Sequence, residues 1–376
     1  MNKRKSVLQK SENINNLLID TKKHNMALDF AGVVAESDAF DPEVLSYAEL
    51  KFEDFSHICL LNFADLHFFD QGMSKKRFDI ASKFLENTSN AYAVLSGDTF
   101  TVSTLSGASN AHVSKLNNQN ATILGKHLLK NINNKLLFGV GGNHDGEQGA
   151  RNRDTNISLT SNVLDAINVA YFQYNALLKI NIDGYPYYVF VTHGSGKANS
   201  KASSLDIIKT KCETVCARFG VYPNLVLTGH FHTDVNGRHL IEVPVYKNGQ
   251  IVSTKTQELV IESGPAMQGD SEFTSAYNIA TTQTNINAFD ISFVKNPYFN
   301  KENQLTESPI IWKVNKFPIL KNKRDELSTV ATIYMKNYLE PQNLEQDLKN
   351  RVSKSTFNFE PLLQNIKNLK EEVKGL

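Results

Sequence analysis

The sequence predicts an α/β sandwich, and three observations predict it. Short apolar runs alternate with stretches whose apolar residues recur at helical spacing, the signature of strand and helix in layered folds. Those runs repeatedly end close to an Asp, Asn or His, and in layered α/β folds the strand ends are where ligands gather. At 376 residues, with 41% hydrophobic and 10% aromatic side chains, the chain carries enough apolar surface for a sizeable core, which excludes wholesale disorder.

Residues 1–50 read as a helical leader. An amphipathic stretch from Val7 to about Lys23 precedes Met26–Val34, and Asp41 can cap a second short helix with Pro42 at its first position. Nothing there suggests chemistry; the leader either packs on the main domain or serves as a partner-binding arm. The main domain is read as 51–295. His57–Phe63 is a mostly apolar run of strand length, Ser74–Asn87 has Phe78, Ala81, Phe84 and Leu85 at helix spacing, and Ala91–Leu95 is a second strand. A helix over about Ala121 to Ile132 and a strand at Lys135–Val140 continue the alternation. Tyr187–Thr192 then reads as a strand, Ser203–Phe219 as a helix and Leu225–Thr228 as a strand. Beyond them, His239–Val245, Gln257–Glu262, Asn285–Val294 and Pro309–Phe317 are strand-like pieces between Gly and Pro turns. They complete a second sheet or carry a small β-rich cap. Residues 296–376 form a C-terminal extension, a strand and then a helix-prone charged tail from about Lys321, broken at Pro341 and Pro361; its Lys367–Lys374 run is a solvated helix face.

Composition narrows the function. With 40 Lys+Arg against 39 Asp+Glu, the formal charge of +1 excludes a global basic field aimed at nucleic acid or acidic membrane, and leaves only local basic patches. Cys59, Cys212 and Cys216 are too few for a disulfide framework, which fits a reducing compartment. Cys212 and Cys216 lie four apart, but no second pair follows at zinc-finger spacing, so they are read as packing residues. The first residues, MNKRKSVLQKSENINN, lack the apolar segment of a signal peptide, and no run approaches the roughly 18 apolar residues of a membrane span. The expectation is a soluble cytoplasmic protein with no membrane partner.

The strand-end residues share a chemistry. Asp65, His67, Asp98, Asn143, His193, His230 and His232 are all oxygen or nitrogen donors, with no thiolate among them. That set suits a hard to borderline divalent ion such as Mn, Fe, Zn or Mg. Seven donors exceed what one tetrahedral ion needs and match two ions sharing a carboxylate, the clamp used for in-line displacement at phosphorus.

Through five ordered motifs the sequence resembles the calcineurin-like metallophosphoesterase superfamily. They are Asp65-Leu66-His67, Gly97-Asp98, Gly142-Asn143-His144-Asp145, His193-Gly194 and Gly229-His230-Phe231-His232, and the resemblance covers about residues 56–265. It implies a four-layer αββα sandwich, to which the leader and tail add helical extensions. It further implies one metal on Asp65, His67 and His232 and another on Asn143, His193 and His230. Asp98 would bridge two divalent ions, Mn first and Fe, Zn or Mg as alternatives. A hydroxide held by the metals would attack a phosphodiester, and His144 would contact the phosphate and protonate the leaving oxygen. Asp145 either orients His144 or caps a helix. The remaining histidines, His24, His57, His112, His127 and His239, are read as ordinary polar residues.

Other motifs fail. Gly194-Ser195-Gly196-Lys197 resembles the end of a phosphate-binding loop, but Ala198 stands where Ser or Thr is needed. Gly139 to His144 lacks the third glycine of a dinucleotide fingerprint, and no Gly-x-Ser-x-Gly elbow occurs. For substrate, Arg151, Arg153, Lys197 and Lys201 lie in two polar loops flanking the metal motifs; they either grip phosphate oxygens or are solvated loop charges. Gly97-Asp98-Thr99-Phe100 is similar to the pattern of DNA-repair exonuclease subunits in the superfamily, which implies a nuclease on DNA or RNA. The near-zero net charge and the lack of a long basic arm weigh against it. Phosphomonoesters, including phosphoprotein, cyclic or other small nucleotide diesters, and an inert metal-bound scaffold stay open. Self-association or a protein partner would engage the helical extensions.

Overall fold

The structure, a computed structural model, describes residues 47–52, 57–70, 73–101, 116–145, 158–195, 200–219, 221–232, 234–247, 250–264, 285–299, 308–321 and 325–338. Those residues form two six-stranded sheets and five helices. The first sheet runs β1 (Tyr47–Phe52), β6 (Asn175–Ile182), β7 (Tyr185–Thr192), β8 (Leu225–Thr228), β10 (Gln250–Ser263) and β9 (Val235–Lys247). The second runs β12 (Ile310–Pro318), β11 (Asn287–Lys295), β2 (His57–Phe63), β3 (Ala91–Leu95), β4 (Leu136–Val140) and β5 (Ala170–Phe172). The helices are α1 (Lys75–Glu86), α2 (Asn118–Lys130), α3 (Leu159–Asp165), α4 (Lys201–Phe219) and α5 (Thr329–Asn337). Thus β1 opens inside the stretch read as leader, and β12 and α5 lie inside the C-terminal extension. None of the described helices is long and apolar enough to cross a membrane.

Local sequence explains the elements. β2, β3 and β4 are apolar throughout because both faces of each are buried. Along β2 the side chains alternate: Ile58 and Leu60 enter one core, while Cys59, Leu61 and Phe63 enter another. α1 starts where Ser74 accepts a hydrogen bond from the Arg77 N–H, and it buries Phe78, Ala81, Phe84 and Leu85 along one stripe. Asn117, Ser158 and Ser328 cap α2, α3 and α5 in the same way.

Three cores hold the layers. Helix residues such as Phe84, Leu129, Val163 and Ala331 pack on Leu61, Ala93 and Leu95 of the second sheet. Between the sheets, Leu60, Val94 and Phe138 meet Leu178, Val189 and Leu227. On the far face of the first sheet, Leu177, Phe190 and Val226 pack with Ile208 and Cys212 of α4. Because β2, β3 and β4 are mutually parallel, and β7 is parallel to β8, the carboxyl ends of each set share an edge. The Asn62 side-chain amide donates to the Thr228 carbonyl at 3.1 Å, which joins the end of β2 to the end of β8 and brings the two edges together.

Candidate metal centre

Five tight turns leave those strand ends and carry the seven donors. Asp65 and His67 follow β2, Asp98 follows β3, Asn143 follows β4, His193 follows β7, and His230 and His232 follow β8. Five of the seven adopt positive φ: Asp65 +48°, His67 +43°, Asp98 +49°, His230 +74° and His232 +53°. For a residue with a Cβ that conformation costs of order 1–3 kcal/mol and persists only where surroundings over-determine it. Here backbone bonds do so: Asp65 N–H donates to Gly97 O at 3.2 Å, and His67 N–H to Asp98 O at 3.0 Å. Gly97 (φ +93°) adds a steric demand, since a Cβ there would sit 2.6 Å from His193 Cγ. At Gly142 a Cβ would collide with the backbone nitrogen and Oδ1 of Asp98.

The donors converge. Asp98 Oδ2 is 3.0 Å from His193 Nε2 and 4.0 Å from His67 Nε2, so one carboxylate oxygen faces an imidazole from each predicted ion site. Asn143 Oδ1 is 2.9 Å from His193 Nε2 and 3.0 Å from His230 Nδ1. Asp65 Oδ1 lies 3.5 Å from His232 Nε2, and both Asp65 oxygens accept the His230 backbone N–H, at 3.1 and 2.9 Å. Ligand atoms of Asp65, His67 and His232 all fall within 4.8 Å of one another, as do those of Asp65, Asp98 and His193. The centre has a buried floor of Asp65, His67, Asp98, His193 and His232, with Asn143, His144 and His230 half-buried above it.

Its electrostatics fit a cation. Burial disfavours ionisation of Asp98, yet His193, His144 and His67 outweigh it and hold the carboxyl well below its usual range. Burial likewise opposes a charge on His193, but Asp98 and Asp65 drive that imidazole up to about 9. Asp65 is raised, by burial first, against nearby His232 and His193. His67 is pushed well below the ordinary histidine value by burial, and its buried Nε2 has no hydrogen-bond partner among the described residues. An unpartnered buried nitrogen facing two carboxylates, in a set of hard to borderline donors, is what a divalent cation would satisfy.

Apart from Asp145, the groups behind the donors are not legible in the sequence. His193 Nδ1 faces the Ser96 carbonyl at 3.0 Å, and His67 Nδ1 faces Thr101 Oγ1 at 2.9 Å. Thr101 in turn donates to Asp70 Oδ2 at 2.5 Å. Asp145 is wholly buried: its Oδ1 accepts from the Phe100 N–H (3.0 Å) and the Thr160 hydroxyl (2.6 Å), and its Oδ2 accepts from the Gly142 N–H (2.8 Å). It therefore clasps the β3 and β4 turns to the start of α3. Burial, and then the charge of Asp98, push its carboxyl up to about 7 against those three bonds. His144 donates its backbone N–H to Asp98 Oδ1 at 2.6 Å, and its ring lies 5.1 Å from that of His67.

Of the predicted substrate-binding residues, Arg151, Arg153 and Lys197 lie outside the described residues, and Lys201 is an exposed side chain at the start of α4. His24 and His112 also lie outside them. His57 pairs with Asp290 at 3.3 Å at the start of β2, away from the donors. A cleft of about 740 Å³, lined by Tyr185, Tyr187, Tyr222 and Trp312 among others, sits at the opposite ends of β7 and β8 and shares no residue with the centre.

No family model matches the chain, and no curated protein matches it. Among solved structures, it is similar to a conserved uncharacterized protein of Streptococcus pneumoniae described as a predicted phosphoesterase. The two are 9% identical, with 70% of this chain and 99% of that one covered and a TM-score of 0.30. It is also similar to Yfce, a phosphoesterase from E. coli, at 13% identity, 62% and 91% coverage and a TM-score of 0.28.

Proposed function

We propose that this chain is a metal-dependent phosphoesterase of the calcineurin-like superfamily, with two divalent ions and a four-layer αββα sandwich as its frame. One observation supports the reading: oxygen and nitrogen donors from five strand ends, spread over two sheets, form one linked cluster, in which Asp98 Oδ2 faces His193 and His67, Asn143 Oδ1 faces His193 and His230, and Asp65 faces His232. Asp65, His67 and His232 would hold one ion, Asn143, His193 and His230 the other, and Asp98 would face both. Bound there, the ions would make water acidic enough to act at neutral pH and would offset charge on the phosphoryl oxygens.

The remaining chemistry falls to the chain itself. Asp65 and Asp98 accept backbone N–H groups of His230 and His144, which fixes the turns that present the imidazoles. The His144 ring, half-buried beside the buried floor, is the group to hold a proton on its imidazole and pass it to the leaving oxygen. The intact donor set and His144 favour an enzyme over an inert scaffold. We take a phosphodiester as substrate, with DNA or RNA assayed first. The Phe100 of the Gly97-Asp98-Thr99-Phe100 motif is fully buried with its ring 5.4 Å from Phe68, so its place in that motif is explained by packing and carries no substrate information.

Hydrolysis of bis(p-nitrophenyl) phosphate against p-nitrophenyl phosphate, with Mn supplied, tests the reading. Diester hydrolysis that collapses in Asp98→Asn is expected; activity untouched by that substitution refutes the mechanism. Preference for the monoester would move the substrate class without moving the centre.

A further inference from the structure

Among the described residues, two side chains behind the metal centre, which the mechanism above does not use, form a line that ends on His67. Asp70, Thr101 and His67 are all buried, at 3%, 5% and 2% relative exposure, and they come from two different turns. Thr101 follows the β3 turn that carries Asp98. Asp70 closes the β2 turn, where its own N–H donates to the His67 carbonyl at 3.1 Å. The two turns are stitched side by side, with Phe68 N–H on Thr99 O at 2.9 Å and a parallel bridge between Phe68 and Phe100.

With Asp70 ionised, the proton inventory of this line has one solution. A carboxylate only accepts, and Thr101 Oγ1 lies 2.5 Å from Asp70 Oδ2, within reach of an O–H···O bond from the hydroxyl to the carboxylate. The single hydroxyl proton of Thr101 is therefore spent on Asp70. What Thr101 has left for His67 is a lone pair, so the 2.9 Å contact requires His67 Nδ1 to carry the N–H. A neutral imidazole has one ring proton, and with that proton on Nδ1 the other nitrogen, Nε2, must present a bare lone pair. Nε2 is the buried, unpartnered atom 4.0 Å from Asp98 Oδ2 and grouped with Asp65 and His232.

We propose that Thr101 and Asp70 are positioning residues that lock His67 in its Nδ1-protonated tautomer, aiming the Nε2 lone pair at the ion shared with Asp65 and His232. The hydroxyl acts as a one-way coupler. Because the carboxylate cannot donate, the threonine cannot turn round and donate to Nδ1, and in the other tautomer two lone pairs would face each other across that 2.9 Å contact. The inference rests on the metal-centre reading, and it assigns to that reading a hydroxyl and a carboxylate outside all five sequence motifs.

The test titrates the full chain, stripped with chelator, with Mn²⁺ and separately with Zn²⁺ by calorimetry. Thr101→Val removes the hydroxyl at nearly constant shape, and Thr101→Ser keeps it. Loss of a partner behind a metal-bound histidine typically costs about 10- to 100-fold in affinity. The expected result is a loss of that size in one binding step for Thr101→Val, the other step unchanged, and restoration of the unmodified affinity in Thr101→Ser. If Thr101→Val binds both ions as tightly as the unmodified chain, or if Thr101→Ser is weakened equally, the coupler is overturned while the centre stands. If the unmodified chain takes up neither metal, the centre itself is wrong and the coupler falls with it. Circular dichroism of both variants separates a weakened site from a lost fold.

Discussion

Asp145→Asn separates two roles that the sequence left open for this carboxylate. In the structure, three donors point at it: Phe100 N–H and the Thr160 hydroxyl at Oδ1, and Gly142 N–H at Oδ2. An amide has one accepting end. If its oxygen keeps the Phe100 and Thr160 bonds, its NH₂ faces the Gly142 N–H, donor against donor, and a buried backbone group loses its acceptor. The reverse orientation sacrifices the other two bonds, so the first is favoured and one orphaned N–H is the minimum damage. An orphan of that kind costs about 1–3 kcal/mol. Urea unfolding of the variant near pH 4, below the range in which the raised Asp145 carboxyl costs the fold stability, should lose that much. The limbs of its kcat–pH profile should stay where the unmodified protein has them, because nothing on the proton path has changed. The opposite pattern, unaltered stability with displaced pH limbs, would mean that Asp145 acts through the neighbouring imidazole, and the clasp argument would be wrong.

Two further outcomes follow from the same geometry. His144→Ala should lower turnover by about 10²- to 10⁴-fold, the usual worth of a positioned acid, while metal content by elemental analysis stays that of the unmodified protein; loss of metal would reassign His144 to holding the site. Glu262 is buried on β10, where Lys316 Nζ reaches its Oε1 at 2.8 Å and the Asn287 amide at 2.7 Å, and burial nevertheless pushes its carboxyl up to about 8. A folded pKa above the unfolded one gives stability that is complete below about pH 4.5 and is lost as pH rises toward 8. Glu262→Gln should flatten that decline by a few kcal/mol between pH 5 and pH 8 in equilibrium denaturation, and parallel slopes in the two proteins would contradict it.

What could be read without coordinates, and what could not, follows from burial. β2, β3 and β4 are buried on both faces, so their sequences are near-continuous apolar runs that stand out as strands. The donors stand out for a related reason: Asp, Asn and His directly after such runs have few structural uses. β6 was missed because NALLKINI interrupts its apolar residues with Asn and Lys, and β5 and α3 because three and seven residues are too short to show a period. β9 and β10 extend well past the predicted His239–Val245 and Gln257–Glu262, since they pair with each other over nearly their whole length through polar, exposed positions such as Thr254 and Lys255. Asp70 and Thr101 left no trace in the sequence. A carboxylate and a hydroxyl in polar turns look like solvated loop until the fold closes over them.

The strained backbone bears on how the centre must be dissected. Five donors sit at positive φ, and what holds them there includes the carboxylates themselves. Asp65, at the end of β2, accepts the backbone N–H of His230, at the end of β8, and so spans the two sheets. Asp98, at the end of β3, accepts that of His144 beyond β4. The carboxylates that would bind metal are thus already tied to turns of the protein, and removing either one takes the acceptor from a backbone N–H as well as a ligand from the centre. An alanine at Asp65 or Asp98 would conflate loss of the ion with relaxation of two strained turns. Asparagine keeps one accepting oxygen for the backbone donor while withdrawing the charge, and only in that comparison does lost activity report on the cation rather than on the turn.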